Sequence, residues 1–207
     1  MRRSSVGKVL IVSVCIVSGL AACAQTQNAA KETPVAIDLA VTYSPERAQL
    51  AQGSCGCFWL QGAGMDAAVN FRKGFGVVAS ISGAHASNVA PGVDVNRIVA
   101  LAGGRYTHSL WGFRKQAAQE RHLEYFGQWL FGGDHAFNGI FPSGGGIVPR
   151  ATAFAMQGGG GMNMALNEHF GLRLLEVEYL RSTLPNNGSN TQNDLRLAFG
   201  VTYRFKK

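Results

Sequence analysis

The chain has 207 residues and a formal charge of +7, but its basic residues form no run of the kind that marks a nucleic-acid partner. Past the N-terminal leader no apolar segment approaches the about 20 residues of a membrane-crossing helix, which excludes a helical membrane protein. The 27 glycines argue against an ordinary helical domain, and the length suits a single domain.

Arg2, Arg3 and Lys8 come first, then the apolar stretch 9–17, then small residues. That order is a secretory signal peptide, expected over residues 1–24. Two processing readings stay open. Leu20-Ala21-Ala22-Cys23 resembles a lipobox, whose Cys23 would carry lipid, while Ala22-Cys23-Ala24 fits the small-x-small rule of ordinary signal peptidase. Losing the three leader charges brings the net charge from +7 to +4. Cys15 leaves with the leader and Cys23 is lipidated or removed, so Cys55 and Cys57 remain for an oxidising compartment. Residues 25–34 read as a short polar periplasmic lead-in, and 35–207 as one β domain.

The first predicted strand is 35–43, with Ile37, Leu39, Val41 and Tyr43 on one face and Ala36, Asp38, Ala40 and Thr42 on the other. A polar loop follows at 44–57. Strand two, 58–71, alternates in its later half: Met65, Ala67, Val69 and Phe71 against Gly64, Asp66, Ala68 and Asn70. Arg72-Lys73-Gly74 is a tight turn. Strand three, 75–85, sets Phe75, Val77, Ala79 and Ile81 against Gly76, Ser80 and Ser82. A second loop at 86–96 contains Pro91-Gly92. Strand four is 97–107, and the charged connection 108–123 has room for a turn of helix. Strand five, 124–135, carries Tyr125, Trp129 and Phe131 opposite Gln128 and Asp134. A Gly/Pro/Ser loop spans 137–150, strand six 151–166, and Asn167-Glu168-His169 forms a short turn. Strand seven, 170–181, points Leu175, Val177 and Tyr179 out and Glu176 and Glu178 in; Arg173 breaks that parity, through a bulge or by reaching to the interface. After the loop 181–193, strand eight alternates strictly: Leu195, Leu197, Phe199, Val201, Tyr203 and Phe205 against Asp194, Arg196, Ala198, Gly200, Thr202 and Arg204.

Eight strands of bilayer-crossing length, roughly 9–11 residues when tilted, with an apolar and a polar face fit a closed barrel with lipid outside. Loops after the odd strands are long and polar, and those after the even ones mostly short. The segments Glu176-Val177-Glu178-Tyr179, Asn186-Asn187-Gly188 and 197–205 make the chain similar to the eight-stranded OmpA-like/OmpX-like bacterial outer-membrane β-barrel family, barrel domain only. Gly200, Tyr203 and Phe205 resemble that class's C-terminal assembly signal, although Lys206 and Lys207 follow the final aromatic. The resemblance implies an all-β, eight-stranded antiparallel up-and-down transmembrane β-barrel in the bacterial outer membrane. Its implied partners are outer-membrane lipids, lipopolysaccharide and the assembly machinery; it implies a monomer with no cofactor.

An eight-stranded lumen is just wide enough for side chains to fill. Asp38, Glu176, Glu178, Arg196 and Arg204 are therefore expected to pair as an ion network that plugs it, with Asp66 and Arg105 as further members. Four surface loops, 44–57, 86–96, 137–150 and 181–193, would carry a structural or surface-interaction role. The alternatives are a small gated pore and, at the outer rim, a lipid-modifying enzyme recruiting Ser82, His85, Asp134 or His135, none of which sits in a nucleophile motif. Cys55, Cys57, His85 and His135 at one rim have the ligand types of a zinc site but not its spacing, so a local disulfide is the preferred expectation. A soluble lipocalin-like barrel would bury its apolar face inward, which the charged inner set opposes. Gly158–Gly161 lacks the Lys-Ser and helix of a phosphate loop and reads as close strand packing.

Overall fold

The computed structural model describes residues 36–49, 57–110, 122–143, 146–186 and 190–205. The leader and lead-in at 1–34, Cys23 and Cys55 lie outside the described residues. The described residues form nine strands: β1 (Ala36–Tyr43), β2 (Glu46–Gln49), β3 (Cys57–Asn70), β4 (Phe75–Ala90), β5 (Val93–Leu110), β6 (Leu123–Ser143), β7 (Gly146–Ala165), β8 (Phe170–Ser182) and β9 (Gln192–Phe205). From β3 onward each is antiparallel to the next in sequence. β1 and β2 both lie between β3 and β9, so they form one wall in two pieces, and the β1–β9 pairing closes a ring of eight walls.

Pro45 causes the break in the first wall, because it lacks the N–H that a continuous ladder requires. The wall nevertheless carries on: Ser44 N–H donates to Gly62 O at 2.8 Å and Leu197 N–H to Pro45 O at 3.0 Å. The 44–57 expectation is corrected accordingly. Residues 46–49 are strand, and Glu46 keeps the inward parity of Thr42 and Ser44.

The 86–96 and 137–150 expectations are corrected too. β4 and β5 run on to Ala90 and from Val93, leaving a turn at Pro91-Gly92, and β6 and β7 continue to Ser143 and from Gly146. Both hairpins contain a bulge: the register shifts between Ala86 and Ala90 and between Phe137 and Phe141, where Asn88 (φ 53°) and Asn138 (φ 60°) are left-handed. Asparagine tolerates that conformation better than most residues, and the bulges let polar outer ends stay paired. β5, β6 and β7 reach 18, 21 and 20 residues, well beyond a bilayer crossing of roughly 9–11, so their outer ends project past the apolar band. The predicted turn of helix at 108–123 falls largely outside the described residues.

At the end that carries both described chain ends, Lys73 (φ 67°) and Gly74 (φ 82°) make the predicted tight turn. A Cβ on Gly74 would collide with the Thr107 carbonyl, so glycine is required there. The Arg173 question resolves as a bulge. The register shifts between Arg173 and Glu176 against β9, Leu174 and Leu175 are both exposed, and Arg173 turns inward.

The alternation holds around the ring. Phe75, Val77, Ile81, Trp129, Phe154, Phe170, Phe199 and Val201 are exposed on the outer wall. Inside, Ala68, Val78, Val99, Leu101, Leu130, Ala155 and Leu180 form one buried apolar cluster. On β5 the inward order Arg97, Val99, Leu101, Gly103, Arg105 places this apolar group between two charged levels.

Candidate functional site

The lumen is built from charged residues that face inward on six of the eight walls. Its outer level centres on Arg97 of β5. Nε donates to Asp134 Oδ1 at 2.9 Å, Nη1 to Asp194 Oδ2 at 2.5 Å and to Glu46, and Nη2 to Ser182 Oγ at 3.3 Å. One guanidinium thus joins β2, β6, β8 and β9. Glu46 is shared: its second oxygen accepts from Arg196 Nη2 at 2.8 Å and Nε at 3.1 Å. Arg196 also donates to Gln157 Oε1 at 3.2 Å.

The next level gathers on Asp66 of β3, which accepts from Arg105 Nη2 at 3.0 Å and Arg173 Nη1 at 2.5 Å. Arg173 also pairs with Glu176 at 2.7 Å. Gln128 Nε2 bridges Glu176 at 2.9 Å and Glu178 at 2.8 Å, and Gln157 donates to Glu178. Glu178 lies 4.0 Å from Arg196, which ties the two levels together. The Phe126 ring meets two cations, with Arg105 Cζ at 4.6 Å and Arg173 Cζ at 4.8 Å from its centroid. That arrangement gives each guanidinium an aromatic contact beside the Asp66 carboxylate they share.

A third level closes the end nearest β1. Arg204 donates to Asp38 at 2.7 and 3.0 Å and to Glu124 at 3.0 and 2.8 Å. Asn70 Nδ2 donates to Asp38 at 2.7 Å, and His122 contacts Glu124 at 3.1 Å. Glu46, Asp134, Arg97, Arg196 and Glu178 are each at most 4% exposed. Groups so dry are tolerated only when paired, and removing one partner is far costlier than an exposed pair would suggest.

Asp38, Glu176, Glu178, Arg196 and Arg204 therefore all face the lumen, and two pairs, Asp38 with Arg204 and Glu178 with Arg196, are direct cross-strand partners. Glu46, Arg97, Glu124, Asp134, Arg173 and Asp194 are equally central, and sequence reasoning did not place them in the network. The signal was parity: Glu46 falls two steps beyond Ser44, and Arg97 is on the same face as Arg105.

The rim residues do not assemble. On β4, Ser82 is buried inside and His85 exposed outside, three residues apart and so on opposite faces. Asp134 is committed to Arg97, so no nucleophile–base set forms from these residues. The His85 ring lies 2.9 Å from Asn96 Oδ1 and 3.2 Å from Ser87 Oγ, and His135 lies 2.7 Å from Thr152 Oγ1. Cys57 is exposed, its proposed partner Cys55 lies outside the described residues, and no three metal-ligating side chains gather among those described. Gly158 lies under the Trp129 ring on the outer wall, where any Cβ would overlap it. The glycine run thus makes room for an aromatic, as close packing requires.

Tyr203 lies 4.7 Å from the Phe205 ring and 5.0 Å from Phe170, while Gly200 pairs with Thr42 across the closing seam. A Cβ at Gly200 would strike the Val41 carbonyl, so this position keeps the seam tight.

A closed antiparallel ring, apolar outside and ion-paired inside, defines a transmembrane β-barrel. The fold is that of the small eight-stranded outer-membrane barrels of the OmpA-like and OmpX-like kind. The barrel is similar to the attachment invasion locus protein Ail of Yersinia pestis, solved with the heparin analogue sucrose octasulfate (TM-score 0.51, 16% identity, 84% of this chain and 100% of that one). It is similar to the same extent to Neisserial surface protein A (TM-score 0.51, 14% identity, 84% and 100%). Ail is an outer-membrane protein. No family model and no curated protein matches the chain.

Proposed function

We propose that the chain is a monomeric outer-membrane barrel with a structural or surface-interaction role, a plugged lumen and no catalysis. The observation that supports this most is the extent of the lumen pairing. Five guanidiniums are shared among eight carboxylates, with Gln128 and Gln157 between them, which leaves the outer hairpins and loops as the parts free to meet a partner. The outer ends of β4 to β7 stand rigidly above the apolar band, which suits them to display contacts to polar surroundings. The aromatics Phe75, Tyr106, Tyr125, Phe170, Tyr203 and Phe205 fit an interface girdle against lipid and lipopolysaccharide, and Gly200, Tyr203 and Phe205 fit the strand read by the assembly machinery. Residues 1–24 would be removed as the leader.

An epitope inserted between Pro91 and Gly92, followed on intact cells, tests this reading together with membrane fractionation and heat-dependent gel migration. Antibody binding to intact cells, with a folded band in the outer-membrane fraction, is expected. Recovery from the soluble periplasm overturns the location, and an epitope hidden until the cells are broken overturns the orientation.

A further inference from the structure

Above the Arg97 level the outer mouth of the barrel encloses a cavity of about 330 Å³ that the ion network does not fill. Its walls come from two apolar groups. On one side Leu60 packs with Ala48 and Ala86, and on the other Phe141 and Leu184 pack with Ala136. Arg97 closes the floor, 4% exposed and already matched by Glu46, Asp134 and Asp194.

We propose that this cavity is a binding site for the hydrocarbon chain of a small neutral amphiphile, which enters from the outer end and leaves its polar head at the rim. Three observations carry the assignment. The volume lies at the lower end of ligand pockets, about 300–1,000 Å³, and above the about 150 Å³ apolar cavity known to stay dry and bind small hydrocarbons. Apart from Arg97 the lining is apolar up to Asn186 and Gln192, so the wall offers a chain contact along its length and polar atoms only beside them. The charge balance excludes an anionic head inside: the one cation there is held by three carboxylates, and a fourth anion would be desolvated beside them. The paired floor also bars deeper passage, so the chain sits at the mouth and does not travel through the lumen. This site is independent of any macromolecular surface role.

The test uses full-length barrel in lipid nanodiscs with ¹³C-methyl labels on Leu and Val, titrated with 1-octanol. Saturable shifts are expected at Leu60, Val95 and Leu184, while the outward Val41, Val77 and Val201 show only the unsaturable drift of octanol dissolving in lipid. Ala136→Phe and, from the opposite wall, Ala48→Leu fill the cavity, and either folded variant should lose the saturable response. A second arm replaces octanol by lipid spin-labelled on its acyl chain. Broadening of the cavity methyls assigns the chain to membrane lipid, and its absence beside a saturable octanol response assigns it to a free amphiphile. Absence of a saturable response in the unaltered protein overturns the proposal, as does a response that survives in the filled variants. Cross-peaks from residues 50–56 to the cavity methyls, without an octanol response, show the cavity to be filled by the chain itself and also overturn it.

Discussion

Glu46 shows how much one inward residue carries. Its carboxylate lies between Arg97 and Arg196 with no exposed surface, while its neighbour Arg47 faces out. Glu46→Ala strands two guanidiniums short of a shared partner in a dry lumen and should cost roughly 3–5 kcal/mol, whereas Arg47→Ala should cost under about 1 kcal/mol. Urea unfolding in detergent, read by gel migration, measures both, and equal midpoints would contradict the face assignment. Glu46 and Glu178 are both buried, so Glu46→Lys and Glu178→Lys should both damage the fold. Phe126 makes a second case. Two guanidiniums share its ring, so Phe126→Leu, which keeps most of the volume, should lose about 1–2 kcal/mol from the cation–π contacts. A loss no larger than for an apolar trim such as Val78→Ala would show that the ring acts only as filler.

At the scale of the strand, the bulge at Leu174-Leu175 keeps Arg173 inside. Deleting Leu174 alone leaves Arg173 two positions from Glu176 and so still inside, whereas deleting both Leu174 and Leu175 makes the two adjacent and swings Arg173 from Asp66 and Glu176 out toward lipid. A lipid-facing arginine costs about 2–4 kcal/mol at mid-membrane and less near an interface, and Asp66 would be left with Arg105 alone. The double deletion should therefore lower the unfolding midpoint well below that of the Leu174 deletion, and equal midpoints would mean that the inward parity of Arg173 contributes nothing. Faces were legible in the sequence wherever lipid enforces them: Ile37 to Tyr43, Phe75 to Ile81 and Leu195 to Phe205 alternate strictly because every second side chain meets hydrocarbon. Beyond the apolar band the outer face of a hairpin meets water and bulges interrupt the parity of the inner face, so alternation stops marking strand. Residues 86–96 consequently look like loop while their backbones stay paired. Network partners were less legible still. Arg97 meets Glu46, Asp134 and Asp194 from three walls, and only the register of the closed ring brings them together.

For the molecule as a whole, the lumen's electrostatics decide whether water and ions pass. A path through the barrel must cross the Arg97–Glu46–Arg196 level, the Arg105–Asp66–Arg173 level and the Arg204–Asp38–Glu124 level. Opposite charges held a few ångströms apart in a medium less polar than water attract strongly, and an opening would break several pairs at once. Between the two outer of these levels, the buried cluster of Val99, Leu101, Leu130 and Leu180 offers an ion nothing to replace its hydration. Eight walls leave too little girth for water to stand between facing side chains, unlike the 16- to 18-stranded porins. Purified barrel in planar bilayers should therefore show almost no current. Arg196→Ala, which frees Glu46 and Glu178 from one shared partner, should produce rare, small openings more often than the unaltered protein. Long-lived currents of porin size from the unaltered protein would refute the plug. Unchanged silence in Arg196→Ala, with the fold intact, would place the barrier in the apolar cluster and not in the ion pairs.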